Sequence, residues 1–460
     1  MSEITSTSTP PPTTTPSTST TTPSTNEKGE EPIPGLVKSE SLLETFDAQL
    51  EIEQTNPNSP LYSIKSFEEL GLKPEILKGV YAMGYNKPSK IQENSLPIII
   101  QSSENLIAQS QSGTGKTAAF TLGMLNCVDE TIQEPQTICI CPSQELAVQI
   151  FEVVKKLGQF TTIKPILVIK EVDLPRTITN QIIIGTPGRL IDCIGRRQIG
   201  LRKMKMLVLD EADHMIGVRG MTEQSERIKD LLPKGIKILL FSATFSSSVD
   251  NYTKQYVPEP RVSIRLKREQ LSVDKILQFY IDCESPSNKP HILSDIYAYI
   301  SVGQSIVFVH TIETAKSLAN KMREDGHSVS LLFGQGNTTE QRFAELNNFK
   351  LGKTKVLITT NVLARGIDIL QVSLVINYDM PLDENERPDP VLYLHRVGRV
   401  GRFGRSGVAI SLVANEHDKK KLMNIAEHLQ RPVKELKKDE IEQVDEILRG
   451  LKDLTPLQSK

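Results

Sequence analysis

At 460 residues the chain is too long for one ordinary hydrophobic core and suits two globular domains with flanking tails. Its 38% hydrophobic and 24% charged residues are ordinary for a soluble protein, and no apolar run approaches the roughly 20 residues that span a bilayer, which argues against membrane insertion. A net charge of -2 offers no global sign of nucleic acid binding, although a local basic groove can hold phosphates on an acidic whole.

In chain order, every residue from Thr5 to Thr25 is Ser, Thr or Pro, so residues 1–38 are expected to be a disordered tail with nothing to bury. The N-terminus lacks the basic and apolar regions of a secretory signal. "SESLLETFDAQLEIEQ" sets Leu43, Phe46 and Leu50 at helical spacing, with Ser41 and Glu44 as a capping box, so residues 39–60 suggest a regulatory or packed helix and a linker. Over 61–265, "NLIAQS", "TICICPS", "QIIIGTP", "MLVLDEAD" and "KILLFSAT" alternate with helical patterns. After a charged connector at 266–275, a second series fills 276–460: "SIVFVHT", "SVSLLFG", "KVLITTN", "LVINYD" and "VAISLV". Such alternation predicts an α/β fold, two parallel sheets flanked by helices with a cleft between them. Five scattered cysteines (Cys127, Cys139, Cys141, Cys193, Cys283) have no paired metal spacing and suit reduced thiols in the cytosol or nucleus.

The first predicted strand runs into "SQSGTGKT", in which Ser112, Gly113, Thr114 and Gly115 let backbone N–H groups converge where a helix begins at Lys116 and Thr117. An anion belongs there: Lys116 reaches its β- and γ-phosphates and the Thr117 hydroxyl suits magnesium. Ser110 replaces the usual first glycine of this pattern. About 95 residues later, "LVLDEAD" ends an apolar strand in Asp210, a magnesium ligand, and Glu211, which would orient or deprotonate water. "YLHRVGRVGRFGR" spaces Arg396, Arg399 and Arg402 by three, on one side of a helical turn, as candidates for stabilising a transferring phosphoryl group.

The ordered set of these elements resembles the DEAD-box RNA helicases. "GYNKPSKIQ", "SGTGKT", "PSQELA", "TPGR", "DEAD", "SAT", "VFVHT", "TTNVLARGID" and "HRVGRVGR" follow the family's order over about Tyr62 to Val413. The resemblance implies two RecA-like domains, with ATP and magnesium as cofactors. It implies that Gln92 reads adenine, that Tyr85 stacks on it and that Phe67 supports them. Ser242 and Thr244 would link the nucleotide to closure, Gly366 and Asp368 would approach the γ-phosphate region and ribose, Arg399 and Arg402 would be the fingers, and His395 would join an interdomain network. Single-stranded RNA would contact Thr186, Pro187, Gly188, Arg189, Thr359, Thr360 and Arg342, mainly through sugar and phosphate.

Three departures stand out: Ser143 and Gln144 replace the usual Thr-Arg, "VIKEVDLP" carries no glycine pair, and Val400 replaces a common Thr. "NPNSPLYSIKSFEELGLKPEILKGVYAMGYNKPSKIQENSLP", the "QS" in "AQSQSGTGKT" and the insertion "PLDENERPDPVLYLHR" are similar to the nuclear-pore mRNA export helicases. That likeness implies a monomer acting at the cytoplasmic face of the pore. A pore-filament nucleoporin and an inositol hexakisphosphate-dependent activator would be its partners, and the segment near Leu43 to Leu50 would be autoinhibitory. An ATP-gated RNA clamp, or a translation or splicing helicase, carries the same motifs; a DNA motor is disfavoured by "GYNKPSKIQ" and "DEAD".

Overall fold

The computed structural model describes residues 50–55, 63–109, 113–217, 220–245, 247–266, 276–300, 303–334, 336–361, 372–383, 385–400, 407–442, 444–446 and 448. All of them fall in one unit, Ser39–Lys460. The first lobe is built on β1 (Leu50–Gln54), β2 (Asn105–Gln109), β3 (Thr137–Ile140), β4 (Pro165–Val168), β5 (Ile182–Gly185), β6 (Met206–Leu209), β7 (Lys237–Ser242) and β8 (Arg261–Leu266). Among the described residues these order as β1-β8-β2-β7-β6-β3-β5-β4, parallel except for β1, which runs antiparallel to β8. The second lobe is built on β9 (Ile276–Asp282), β10 (Gln304–Phe308), β11 (Val329–Leu332), β12 (Val356–Thr359), β13 (Val372–Asn377), β14 (Gly407–Val413) and β15 (Lys434–Glu435), in the order β11-β12-β10-β13-β14-β9-β15.

The inner strands are continuous apolar runs because helices cover both faces of a parallel sheet. "MLVL" of β6 and "NLIAQ" of β2 are buried at every position. Apolar clusters then form on each side of each sheet, for example around Phe120 and Phe241 on one face of the first and around Leu190 and Leu240 on the other. The helix Gln144–Leu157 typifies the covering layer. Ser143 Oγ caps it by accepting from the Leu146 amide, Leu146, Ala147, Ile150, Val154 and Leu157 face inward, and the chain leaves at Gly158. In the C-terminal part, Ile441, Val444 and Leu448 pack into the second core.

All ten strands expected from the sequence form. The N-terminal expectation changes: Leu50 opens strand β1, paired with Leu266, instead of continuing a helix. "LEIEQ" alternates apolar and polar residues, and the open edge of β8 supplies hydrogen-bond partners that a short isolated helix lacks. Leu43, Phe46 and the Ser41/Glu44 box lie outside the described residues, as do the tail and most of the 266–275 connector. Among the described residues no helix is long and apolar enough to cross a membrane.

Candidate nucleotide site and the cleft between the lobes

β2 feeds the phosphate loop at the C-terminal edge of the sheet, where an open parallel α/β fold places ligands. Gly113 and Gly115 have φ of 83° and 96°, the left-handed region that favours glycine, and Gly115 precedes the helix Lys116–Cys127. A Cβ on Gly115 would lie 2.6 Å from Gln92 Nε2, so the glycine also makes room for its neighbour. That neighbour is held at both ends of its amide: Nε2 donates to Gly115 O at 2.9 Å, and Oε1 accepts from the Ser89 amide at 2.9 Å. Ser89 Oγ in turn donates to Thr114 O at 2.7 Å. Gln92, the expected adenine reader, thus braces the phosphate loop while capping its own helix. Ser89 was missed in the sequence, although Ser89-x-x-Gln92 is a capping-box pattern. Phe67 is buried in the first core and Tyr85 packs half-buried on the same core.

Asp210 lies just after β6, fully buried, and its Oδ1 accepts from the Glu211 amide at 3.0 Å. Glu211 takes φ of 54°, a conformation few non-glycine residues adopt, which turns the chain sharply from strand to helix. Lys116 Nζ sits 3.5 Å from Asp210 Oδ1 and 3.7 Å from Glu211 Oε1. Burial would lower the Lys116 pKa, but Asp210 and then Glu211 outweigh it and hold the ammonium above its usual range. For Asp210 burial prevails over Lys116, pushing the carboxyl up to about 6. Glu211 goes the other way: burial opposes its charge, but Lys116 and then His395 hold it below the ordinary carboxylate range.

Lys116 Nζ, Asp210 Oδ2 and Glu211 Oε2 are all buried without a hydrogen-bond partner among the described residues. Such atoms are costly unless a ligand satisfies them. One ammonium facing two carboxylates fits a polyphosphate with a divalent cation. Magnesium can be held by one carboxylate, a hydroxyl and the phosphates, so Asp210 and Thr117 are an adequate protein contribution. Among the described residues no cluster of three His, Cys, Asp or Glu could hold a metal alone.

The two lobes meet at Asp213. Its Oδ2 accepts from Thr244 Oγ1 at 2.7 Å and from the Thr244 amide at 3.2 Å, while Ser242 Oγ donates to Thr244 O at 2.8 Å. From the second lobe, His395 Nε2 reaches the same Asp213 Oδ2 at 3.3 Å. Arg399 is buried behind it, its Nε donating to His395 O at 3.0 Å, and its charge acts on Lys116 and Glu211. Arg396 does not share that face, as its spacing had suggested. The helix Pro390–Val397 ends before Arg399, and Arg396 is buried in the second lobe, where Nη1 donates to Asn377 Oδ1 and Asp379 O and Nη2 to Asn361 Oδ1 at 2.6 Å. Arg396 therefore braces the chain just after Thr359 and Thr360. Arg402, Ser112, Gly366 and Asp368 lie outside the described residues.

The expected RNA contacts lie at or next to the C-terminal ends of strands. Thr186 precedes the helix Pro187–Gly195 after β5, and Gly188 follows the buried Pro187. Arg189 pairs with Asp192 at 3.1 Å and donates to Val172 O at 3.4 Å. Thr359 is buried, its hydroxyl donating to Thr360 O at 2.9 Å. Arg342, also expected at the RNA, has its guanidinium buried 3.3 Å from Glu145 of the first lobe and donates to Thr339 Oγ1, so it joins lobe to lobe.

Fold and geometry define a two-lobed α/β protein of the phosphate-loop class in which His395 and Arg399 of the second lobe lie close to the buried Asp213, Lys116 and Glu211 of the first. Residues 89–252 match the DEAD/DEAH box helicase family and residues 288–404 the helicase conserved C-terminal domain. An ATP-dependent RNA helicase ddx19 of Dictyostelium discoideum is 62% identical over 94% of this chain and 93% of its own length. Among solved structures, S. cerevisiae Dbp5 bound to RNA and ADP BeF3 matches with a TM-score of 0.80 at 45% identity, covering 84% of this chain and 100% of that one. A variant of S. cerevisiae dbp5 bound to nup159, a gle1 variant, ip6 and ADP matches with a TM-score of 0.59 at 42% identity, covering 83% and 100%. The chain belongs to the DEAD/DEAH box helicases and, within them, to the ATP-dependent RNA helicases of the ddx19 and dbp5 group.

Proposed function

We propose that this helicase closes its two lobes on single-stranded RNA when ATP is bound, opens them after hydrolysis, and so remodels RNA-protein complexes during mRNA export. We assign the lobes to about residues 61–265, extended by β1, and 276–460. The observation that carries the reading is the buried cluster in which Lys116, Asp210 and Glu211 of one lobe face Arg399 and His395 of the other, with Asp213 bonded to Thr244 of the first lobe and 3.3 Å from His395 of the second.

Lys116 would hold the β- and γ-phosphates, and Thr117 with Asp210 would hold magnesium, which when bound offsets charge on the phosphates. Glu211, kept ionised by Lys116 and His395, orients the attacking water and receives its proton. Arg399 and Arg402 stabilise charge on the transferring group, while Gly366 and Asp368 approach the γ-phosphate region and ribose. Gln92 reads adenine by exchanging one of its two present hydrogen bonds, which links base recognition to the phosphate loop. Tyr85 stacks on the base over Phe67. Thr186, Pro187, Gly188, Arg189, Thr359 and Thr360 contact the RNA backbone. Arg342 supports that surface from within the lobe junction.

The relatives' complexes with RNA, nup159, gle1 and ip6 support a matching set of partners here: mRNA, a pore-filament nucleoporin and an inositol hexakisphosphate-dependent activator. Work at the cytoplasmic face of the nuclear pore follows from that partner set. Steady-state ATP hydrolysis, with and without single-stranded RNA and with and without inositol hexakisphosphate plus the activator, tests both levels. RNA stimulation raised further by the activator is the expected result. Stimulation without an activator response would remove the export assignment, and no response to RNA would remove the proposed RNA-driven cycle.

A further inference from the structure

The segment "VIKEVDLP" is one of the departures from the family pattern, and it lies against the second lobe. Glu171 has φ of 67°, the left-handed conformation that a glycine would adopt without strain. Its Oε2 accepts from the Thr339 amide of the second lobe at 2.8 Å. Thr339 is the first residue of the helix Thr339–Lys350, where backbone N–H groups lack partners within the helix and a carboxylate is favoured by the helix dipole. Gln144, another departure, accepts from Thr339 Oγ1 at 3.1 Å. Phe343 of the same helix packs against the core of the first lobe. Two residues that leave the family pattern, distant in sequence from their target, thus converge on a single residue across the cleft.

We propose that Glu171 is a positioning residue for lobe closure: its carboxylate captures the N-terminus of the helix Thr339–Lys350, and Gln144 supports it at the same threonine. The Thr339 contacts, side chain first and then amide, also hold the Glu171 carboxyl below its usual range, in accord with a charge that gains from the contact. Arg189 connects this device to the expected RNA surface, since its Nη2 donates to Val172 O in the same segment. The inference rests on the reading above that RNA and ATP close the lobes.

The test is RNA-stimulated ATP hydrolysis by the full chain, titrated with polyuridylate at saturating magnesium and ATP. Glu171→Ala should raise the half-stimulating RNA concentration about threefold to tenfold, a cap-sized effect for an exposed contact, with less than a twofold change in rate at saturating RNA. Glu171→Gly should show the same rise even though it relieves the left-handed backbone and raises the melting temperature. Thr339→Pro removes the donor at a position where a helix accepts proline, since Thr338 before it already has φ of -66° and ψ of 158°. In that background Glu171→Ala should add nothing. A Glu171→Gly protein with wild-type RNA dependence would overturn the proposal, as would additive effects of the Thr339 and Glu171 changes. Absence of RNA stimulation in the wild type would instead overturn the underlying reading of the cycle, and this inference with it.

Discussion

Surroundings push the pKa values of the adjacent carboxylates Asp210 and Glu211 in "DEAD" in opposite directions. Asp210, just after β6, is fully buried, so burial pushes its carboxyl up to about 6, whereas Glu211 gains enough from Lys116 and His395 to stay ionised. On the proposed role of Asp210 as a magnesium ligand, its ionised form is the one that holds the cation, so protons compete with magnesium as the carboxyl protonates. Magnesium-dependent ATP affinity should therefore fall by up to about tenfold per pH unit below pH 6 and level off above it. Equilibrium ATP binding between pH 5 and 8 checks this, and Asp210→Asn should give weak binding that keeps only the shallower pH dependence of ATP's own phosphate. Arginines divide in a similar way. Arg396 and Arg399 are three residues apart, but Arg396 is spent on Asn361, Asn377 and Asp379 inside its own lobe, and Arg399 faces the nucleotide side. Their identical chemistry and even spacing hid that difference, because the helix between them stops at Val397.

At the scale of elements, β1 shows how an edge decides a short segment's conformation. Ile52 is half-buried against the first core, and Leu50 to Gln54 pair with β8 residue by residue. Removing residues 1–55 should lower the melting temperature by about 2–4 °C, from loss of roughly 1 kcal/mol of pairing and apolar burial, and should promote association through the exposed β8 edge. Thermal unfolding and light scattering check this. Removing only residues 1–49 spares β1, so any rise in basal ATPase in that variant reports regulation by the N-terminal segment rather than damage to the sheet.

Across the whole molecule, the lobes are joined by contacts that neither can make alone. Arg342 and Glu145 form a buried pair from opposite lobes. Taking away one partner leaves an uncompensated charge, worth about 3–5 kcal/mol where burial is complete. Arg342→Ala and Glu145→Ala should therefore each weaken RNA binding in the presence of an ATP analogue by on the order of 100-fold. Binding without nucleotide should change little. Joint replacement by Met and Leu should recover much of the loss, as measured by fluorescence anisotropy with labelled RNA. If Arg342 acted only on RNA, Glu145→Ala would behave as wild type.

The two parallel sheets were legible in the chain's composition pattern, since inner strands such as "MLVL" and "TICI" must be continuous apolar runs to be covered on both faces. The sequence by itself also determined the residue types of the phosphate site, because a glycine-containing turn, a lysine and an acidic strand end are local chemical requirements. Tertiary structure alone decided that Gln92 grips Gly115, that Asp213 is shared by Thr244 and His395, and that Glu171 and Arg342 reach across the cleft. Each of these contacts joins residues far apart in the chain. Their partners are chosen by how strand ends and helix starts converge in space, which no periodicity or spacing along the sequence records.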